Sequence, residues 1–243
     1  MESSSSGNSQ VQRSPLNLRQ KFMTWAFVTQ PGSDPLARSY LFLRKGIGFI
    51  GVALPIVLVC GTIFLEGRFA FSGSMSAYYY SVMRDVFVGS LWATGIFLIF
   101  YRYDNLDNLV STLAGICAIG VSLFPAPPDV KATQQQVAIG VAHGSFAGSF
   151  FLMLAFMAIV LFTRSNPEYV TDRKLLRNKV YMICGCTILA CIGLAALTLF
   201  IPYLHDALWL QSVHPILIFE AVATWAFGCA WFVKGEFILK DKQ

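Results

Sequence analysis

Charged side chains make up only 13% of this 243-residue chain, while 56% of it is apolar and its mean hydropathy is +0.60. Soluble domains carry about 25% charged residues, so the shortage excludes a water-covered core of this size and makes lipid the natural solvent for the surplus apolar surface. Histidine is scarcer still. His143, His205 and His214 cannot supply the two histidine pairs that haems stacked across a membrane need, nor an HxxxH or HExxH zinc motif. Glycine-rich nucleotide loops and the GxSxG elbow are also missing. The cysteines Cys60, Cys117, Cys184, Cys186, Cys191 and Cys229 all fall in apolar stretches. Cys184 and Cys186 point in different directions on a helix and form no CxxC pair, so packing is their expected role and no thiol chemistry is predicted.

Long apolar runs are what the chain has instead. They predict helical spans at 46–65, 86–101, 109–125, 137–163, 180–201 and 213–235. About 20 residues cross a 30 Å hydrocarbon core, which makes the second and third spans short and the fourth long enough to tilt. Of the 18 basic residues, only Arg68, Arg84 and Lys131 fall in the odd-numbered loops; the rest flank the opposite side. That asymmetry predicts an all-α integral membrane protein with both termini cytoplasmic. No apolar h-region precedes the first span, so that span is expected to act as the targeting signal, and a multi-pass protein of the plasma (inner) membrane is expected. The net charge of +5 belongs to flanks facing anionic lipid, and no nucleic-acid partner is expected.

The expected organisation is a disordered cytoplasmic arm over 1–15, an interfacial segment over 16–45, a six-helix membrane domain over 46–235 and a cytoplasmic tail over 236–243. Leu18, Phe22, Trp25 and Val28 recur at helical spacing in the second part, and Pro31, Gly32 and Pro35 are expected to end any helix there. Gly140, Gly144 and Gly148 repeat every four residues in the fourth span, a packing signature that would join helices within the chain or between two chains. Gly46, Gly48 and Gly51 suggest the same in the first span. Pro55 should kink that span or free a carbonyl for a neighbour.

The intramembrane polar residues gather in the outer half. His143 lies about 9 Å below the outer surface, and Glu220 on the sixth span is at nearly the same depth. Arg84 and Asp85 open the second span, after Ser74, Ser76, Tyr78, Tyr79 and Tyr80. A carboxylate inside a span is protonated, pairs with a cation or histidine, or binds an ion, and such groups face the bundle interior. The candidate pocket is therefore His143, Glu220, Asp85, Arg84, Ser76 and Tyr80, with the 66–84 connection able to fold back as a lid. Taken singly, Asp85 and Arg84 also read as a helix-end cap and ion pair, and the tyrosines as an aromatic belt. Asp104, Asn105, Asp107 and Asn108 lack the glycine and final glutamate of an EF-hand loop and read as a cap for the third span. His214, just before Pro215, is turned about 120° from Glu220 and is expected at the interface.

Leu123, Phe124 and Pro125, a short polar loop, and then His143 with Phe150 and Phe151 in a glycine-rich span resemble six-helix membrane families of unassigned biochemistry, the DRAM-like proteins among them. That resemblance implies architecture. Ser76, Tyr80, Asp85 and His143 are similar to positions in the CREST membrane hydrolases of the alkaline ceramidase type, which use Ser-xxx-His, an Asp and His-xxx-His around zinc. Here Tyr80 stands where a histidine is needed, so a zinc site would take Glu220 or Asp85 instead. The sequence thus points to a six-helix bundle with an outward-opening polar pocket that binds or conducts a small ion, a proton or a lipid headgroup. The implied partners are membrane lipids, an ion or small amphipathic ligand, and a homo-oligomer or larger membrane complex; no cofactor or bound metal is expected, and no feature requires catalysis. The alternatives are a membrane-embedded metal-dependent lipid hydrolase and a non-catalytic scaffold subunit.

Overall fold

The computed structural model describes residues 35–67, 69, 71–128, 132–164, 171–201 and 213–239. The 1–15 arm, the helical spacing at 18–28, the Lys131 loop, His205 and the last residues of the tail lie outside them. The second of the chain's two units, Tyr40–Gln243, holds the bundle. The chain's helices are α1 (Pro35–Glu66), which enters this unit at Tyr40, α2 (Arg84–Ile99), α3 (Asn105–Leu123), α4 (Gln134–Phe156), α5 (Asp172–Phe200) and α6 (Pro215–Lys234), with a 3₁₀ turn at Ser76–Tyr80 before α2. No strand occurs among the described residues. All but α2 are long and apolar enough to cross a membrane. Large apolar side chains stand exposed on every helix, among them Phe49, Ile96, Leu113, Leu152, Ile183 and Ile218, as surfaces solvated by lipid require.

Helix ends follow local chemistry. Thr133 and Gln136 form a reciprocal capping box on α4, and the Thr171 hydroxyl accepts the Lys174 N–H on α5. The described part of α1 starts at Pro35, a residue suited to a first helical position because its φ is preset and no N–H is needed there, and the break expected before it lies outside the described residues. The Trp225 indole donates to the Val52 carbonyl at 3.1 Å, one residue beyond the carbonyl of Gly51 that Pro55 leaves without its helical donor. The last turn of α4 is π-helical, Met157–Leu161, and Phe162 closes it by donating to the Met157 carbonyl at 2.9 Å.

Glycine decides which helices touch, though the α4 stripe does so only at one end. A Cβ at Gly51 would sit 2.9 Å from Gly228 Cα, and one at Gly228 would sit 2.8 Å from Val52 N, so α1 and α6 cross backbone to backbone. Gly95 and Gly115 do the same for α2 and α3. In α4, a Cβ at Gly140 would press on the Pro127 ring, and nothing lies within 4 Å of one at Gly144 or Gly148. Of the two alternatives for this stripe, a close crossing within the chain is not formed at Gly144 or Gly148. Beside α1 runs α2 in the opposite direction, since Gly61 abuts Met83 and Gly46 abuts Phe97. Two apolar cores result. Leu58, Tyr78, Met83, Phe87 and Leu217 fill the end near the 3₁₀ turn; Leu98, Leu154, Phe162, Phe227 and Trp231 fill the other.

Candidate functional site

Three of the six candidate residues meet. His143 projects from α4 and is buried; its Nδ1 lies 2.6 Å from the Phe124 carbonyl and 3.2 Å from that of Val121, at the end of α3. Carbonyls only accept, so Nδ1 carries a proton. Nε2 lies 2.9 Å from the hydroxyl of Ser76, itself buried at the start of the 3₁₀ turn. From α6, Glu220 accepts the Met75 N–H at 2.5 Å, and the Ser76 N–H and hydroxyl face the same carboxylate. Ser76 is thus the shared neighbour of histidine and carboxylate.

The segment before α2 is held over them. Met75 and Ser76 bond to α6 and α4, and the exposed Tyr80 donates its phenol O–H to the Ala126 carbonyl at 2.8 Å. Tyr78 is fully buried, and burial pushes its phenol above the ordinary tyrosine range, so the ring stays neutral. Arg84 and Asp85 are exposed and do not join the set. Arg84 donates to the Tyr79 phenol at 2.9 Å and stacks on its ring, so the expected Arg84–Asp85 pair is replaced by a cation–ring contact. Met83 occupies the cap position of α2, and Asp85 sits in its first turn, where a carboxylate favours the helix dipole. His214 caps α6 with φ 49° and rests against Phe71, apart from Glu220.

Below the set lies a cavity of about 50 Å³, bounded by Gly51, Leu54, Leu91, Phe150, Phe151 and Phe227, with Ser76, Glu220, Thr94 and Thr224 as its polar groups. A water needs roughly 10–15 Å³ of such volume, so a few waters or a small ligand group fit. Thr224 was not singled out from the sequence, although it lies one helical turn after Glu220; its hydroxyl donates back to the Glu220 carbonyl at 2.7 Å. Asp107 was read only as part of a cap. Its side chain is 1% exposed and pairs with Arg164 at 3.2 Å, so it ties α3 to the end of α4. The signal was there: Asp107 and Arg164 stand at adjoining ends of antiparallel neighbours.

Among the described residues no group of three or more His, Cys, Asp or Glu side chains lies close enough to hold a metal. The zinc set implied by the hydrolase resemblance is therefore not assembled there, and both ring nitrogens of His143 already have protein partners. Compared with protein-family models, curated proteins and solved structures, the chain matches none.

Proposed function

We propose that this chain is a six-pass membrane protein, with both termini cytoplasmic, whose outer half holds a proton-binding relay of Glu220, Ser76 and His143 above a small cavity. The single observation that carries the reading is Ser76, whose hydroxyl meets His143 Nε2 at 2.9 Å while facing the Glu220 carboxylate. Six crossings are supported by α2: its 16 residues rise only about 24 Å, but it runs alongside α1 between the levels of Gly61 and Gly46. With an even number of crossings both termini share one side, and the distribution of basic residues favours the cytoplasmic one.

The relay follows from donor and acceptor arithmetic. With Nδ1–H committed to the Phe124 carbonyl, neutral imidazole offers only the Nε2 lone pair, so Ser76 donates to it and a protonated Glu220 donates to Ser76. In the other state the imidazolium donates from both nitrogens, and Ser76 turns its O–H toward the Glu220 carboxylate. Moving between the states transfers one proton from Glu220 through the Ser76 hydroxyl to His143. In the ionised state Glu220 grips the Met75 N–H more strongly, because a charge-assisted hydrogen bond is about twice as strong as a neutral one. Proton position thereby sets how firmly the Met75–Tyr80 segment closes the cavity.

The same 2.9 Å contact fits a serine nucleophile beside a histidine base. Yet the Met75 and Ser76 N–H groups face Glu220, so these donors are not free for an oxyanion, which would develop beside a carboxylate. Proton binding is the better account. Proton uptake by the purified protein between pH 5 and 8, read with a soluble pH dye, tests it: Glu220→Gln and His143→Gln should each lower uptake by a similar amount. Uptake unchanged in both variants would remove the relay, and rapid fluorophosphonate labelling of Ser76 would favour the nucleophile.

A further inference from the structure

About 21 Å along α6 from Glu220, at the opposite end of the bundle, a second polar cluster has too many donors for its acceptors. Lys234, the last residue of α6, is half-buried, and its ammonium lies 4.9 Å from the ring centroids of both Tyr103 and Phe162. Among the described residues the ammonium makes no hydrogen bond and no ion pair within 4 Å. Arg44, Lys174 and Arg177 are close enough to repel it, and Asp107 is the carboxylate that attracts it. One oxygen of Asp107 is already engaged by Arg164 at 3.2 Å.

Arg44 is in the same condition. Its guanidinium stacks over Tyr40 at 4.7 Å and Tyr101 at 5.4 Å and makes only a long, 3.4 Å bond to the Lys234 carbonyl, while its Nε is buried without a partner. The Tyr101 hydroxyl is buried and unpartnered as well. The Arg44 Nε–H, the Tyr101 O–H and the Lys234 ammonium are thus three unspent donors among the described residues, two of them cationic, and the buried carboxylate oxygen left without a partner beside them is Asp107 Oδ1. Basic residues at a membrane boundary ordinarily spread into water and headgroups; these converge from α1, α6 and the α2–α3 turn behind aromatic rings.

We propose that Arg44, Tyr101 and Lys234 form an anion site for a phosphate group. Phosphate supplies several acceptor oxygens and negative charge at once, and the Arg44 fork and the Lys234 point charge are the two usual ways of meeting them. The group would come from an anionic phospholipid at the boundary or from phosphate in solution. Asp107, paired with Arg164, bounds the site on one side and limits how much negative charge it accepts.

The test uses the full chain in nanodiscs of phosphatidylcholine mixed with phosphatidylglycerol, with retained lipids counted by native mass spectrometry. Wild type should retain phosphatidylglycerol over phosphatidylcholine by about tenfold. Arg44→Gln and Lys234→Gln should each cut that preference several-fold, as expected on losing a hydrogen bond to a charged group. Lys179→Gln, an equal charge loss at an exposed α5 position, should leave it within about twofold. Tyr101→Phe removes only a hydroxyl; it should lower retention about threefold and serves if the charge variants misfold. Millimolar inorganic phosphate protecting wild type but not Arg44→Gln from thermal unfolding, without lipid preference, would assign free phosphate as the occupant. Equal retention in wild type, Arg44→Gln and Tyr101→Phe, with no protection by phosphate, would overturn the site and leave a water-bridged Asp107 network.

Discussion

Replacing glycine by alanine at two positions, Gly228 in α6 and Gly144 in α4, separates a true helix crossing from a glycine stripe that only looks like one. In a helix interior the change gains about 0.5–1 kcal/mol from reduced unfolded-state freedom alone. At Gly144 nothing lies within 4 Å of the new methyl, so the gain should survive. At Gly228 the methyl would come 2.8 Å from Val52 N and 2.9 Å from the Gly48 carbonyl oxygen, well inside carbon contact distance. Both are backbone atoms of α1 and cannot rotate away. Relief requires the helices to part, for which overpacking costs of about 1–3 kcal/mol are typical, and the Trp225 bond to Val52 would stretch with them. The gain is common to both positions, so the two variants should differ by the overpacking cost, roughly 1–3 kcal/mol, with Gly228→Ala the less stable. Steric-trap or detergent-titration unfolding of the single variants measures this directly. Equal destabilisation at both positions would refute the reasoning and identify Gly144 as a contact between chains.

Three further outcomes are expected. Asp107→Asn should destabilise the fold by about 3 kcal/mol in the same unfolding assay, the low end for a broken buried pair because Arg164 is 39% exposed and can rehydrate. Tyr80→Phe, which removes the bond to the Ala126 carbonyl, should cost about 1 kcal/mol and speed hydrogen exchange at the Met75 and Ser76 amides; unchanged exchange would mean the segment is held elsewhere. Cysteines placed at the exposed Lys179 and Val82 should react with impermeant reagent from opposite faces of the membrane in a background lacking accessible thiols, and labelling of both from one face would contradict six crossings.

Much of the bundle is legible in the sequence because lipid imposes one period and one length on every crossing segment. The predicted spans fall on the observed helices, and α1 and α5 run longer mainly because Pro35 and Thr171 start them before the apolar run begins. Depth along a helix is readable in the same way, which is why His143 and Glu220 could be placed on one level. Facing is harder to read. Gly144 and Gly148 carry the residue spacing of a close crossing, but their orientation depends on His143 turning inward to Ser76 and Phe124, a choice made by partners distant in sequence. The sequence places Arg84 and Asp85 at the level of the pocket, yet both are exposed, and Arg84 turns to the Tyr79 ring instead. Ser76 could be included among candidates from sequence, yet its position between two ionisable groups emerges only once the 3₁₀ turn folds back. Asp107 shows the opposite failure: a cap-like spacing concealed a buried ion pair whose partner, Arg164, lies just past the end of another helix.

The central claim is that His143 and Glu220 titrate as one unit through Ser76, and the ¹⁵N shifts of the His143 ring across pH 5 to 8 test it most directly. Wild type at the high end should show Nδ1 protonated and Nε2 as a hydrogen-bonded acceptor, as the Phe124 carbonyl demands. Glu220→Gln should displace the histidine titration by at least about half a pH unit, a coupling of roughly 0.7 kcal/mol, and Ser76→Ala should remove most of that dependence on residue 220. A His143 titration that is the same in wild type, Glu220→Gln and Ser76→Ala would contradict the account.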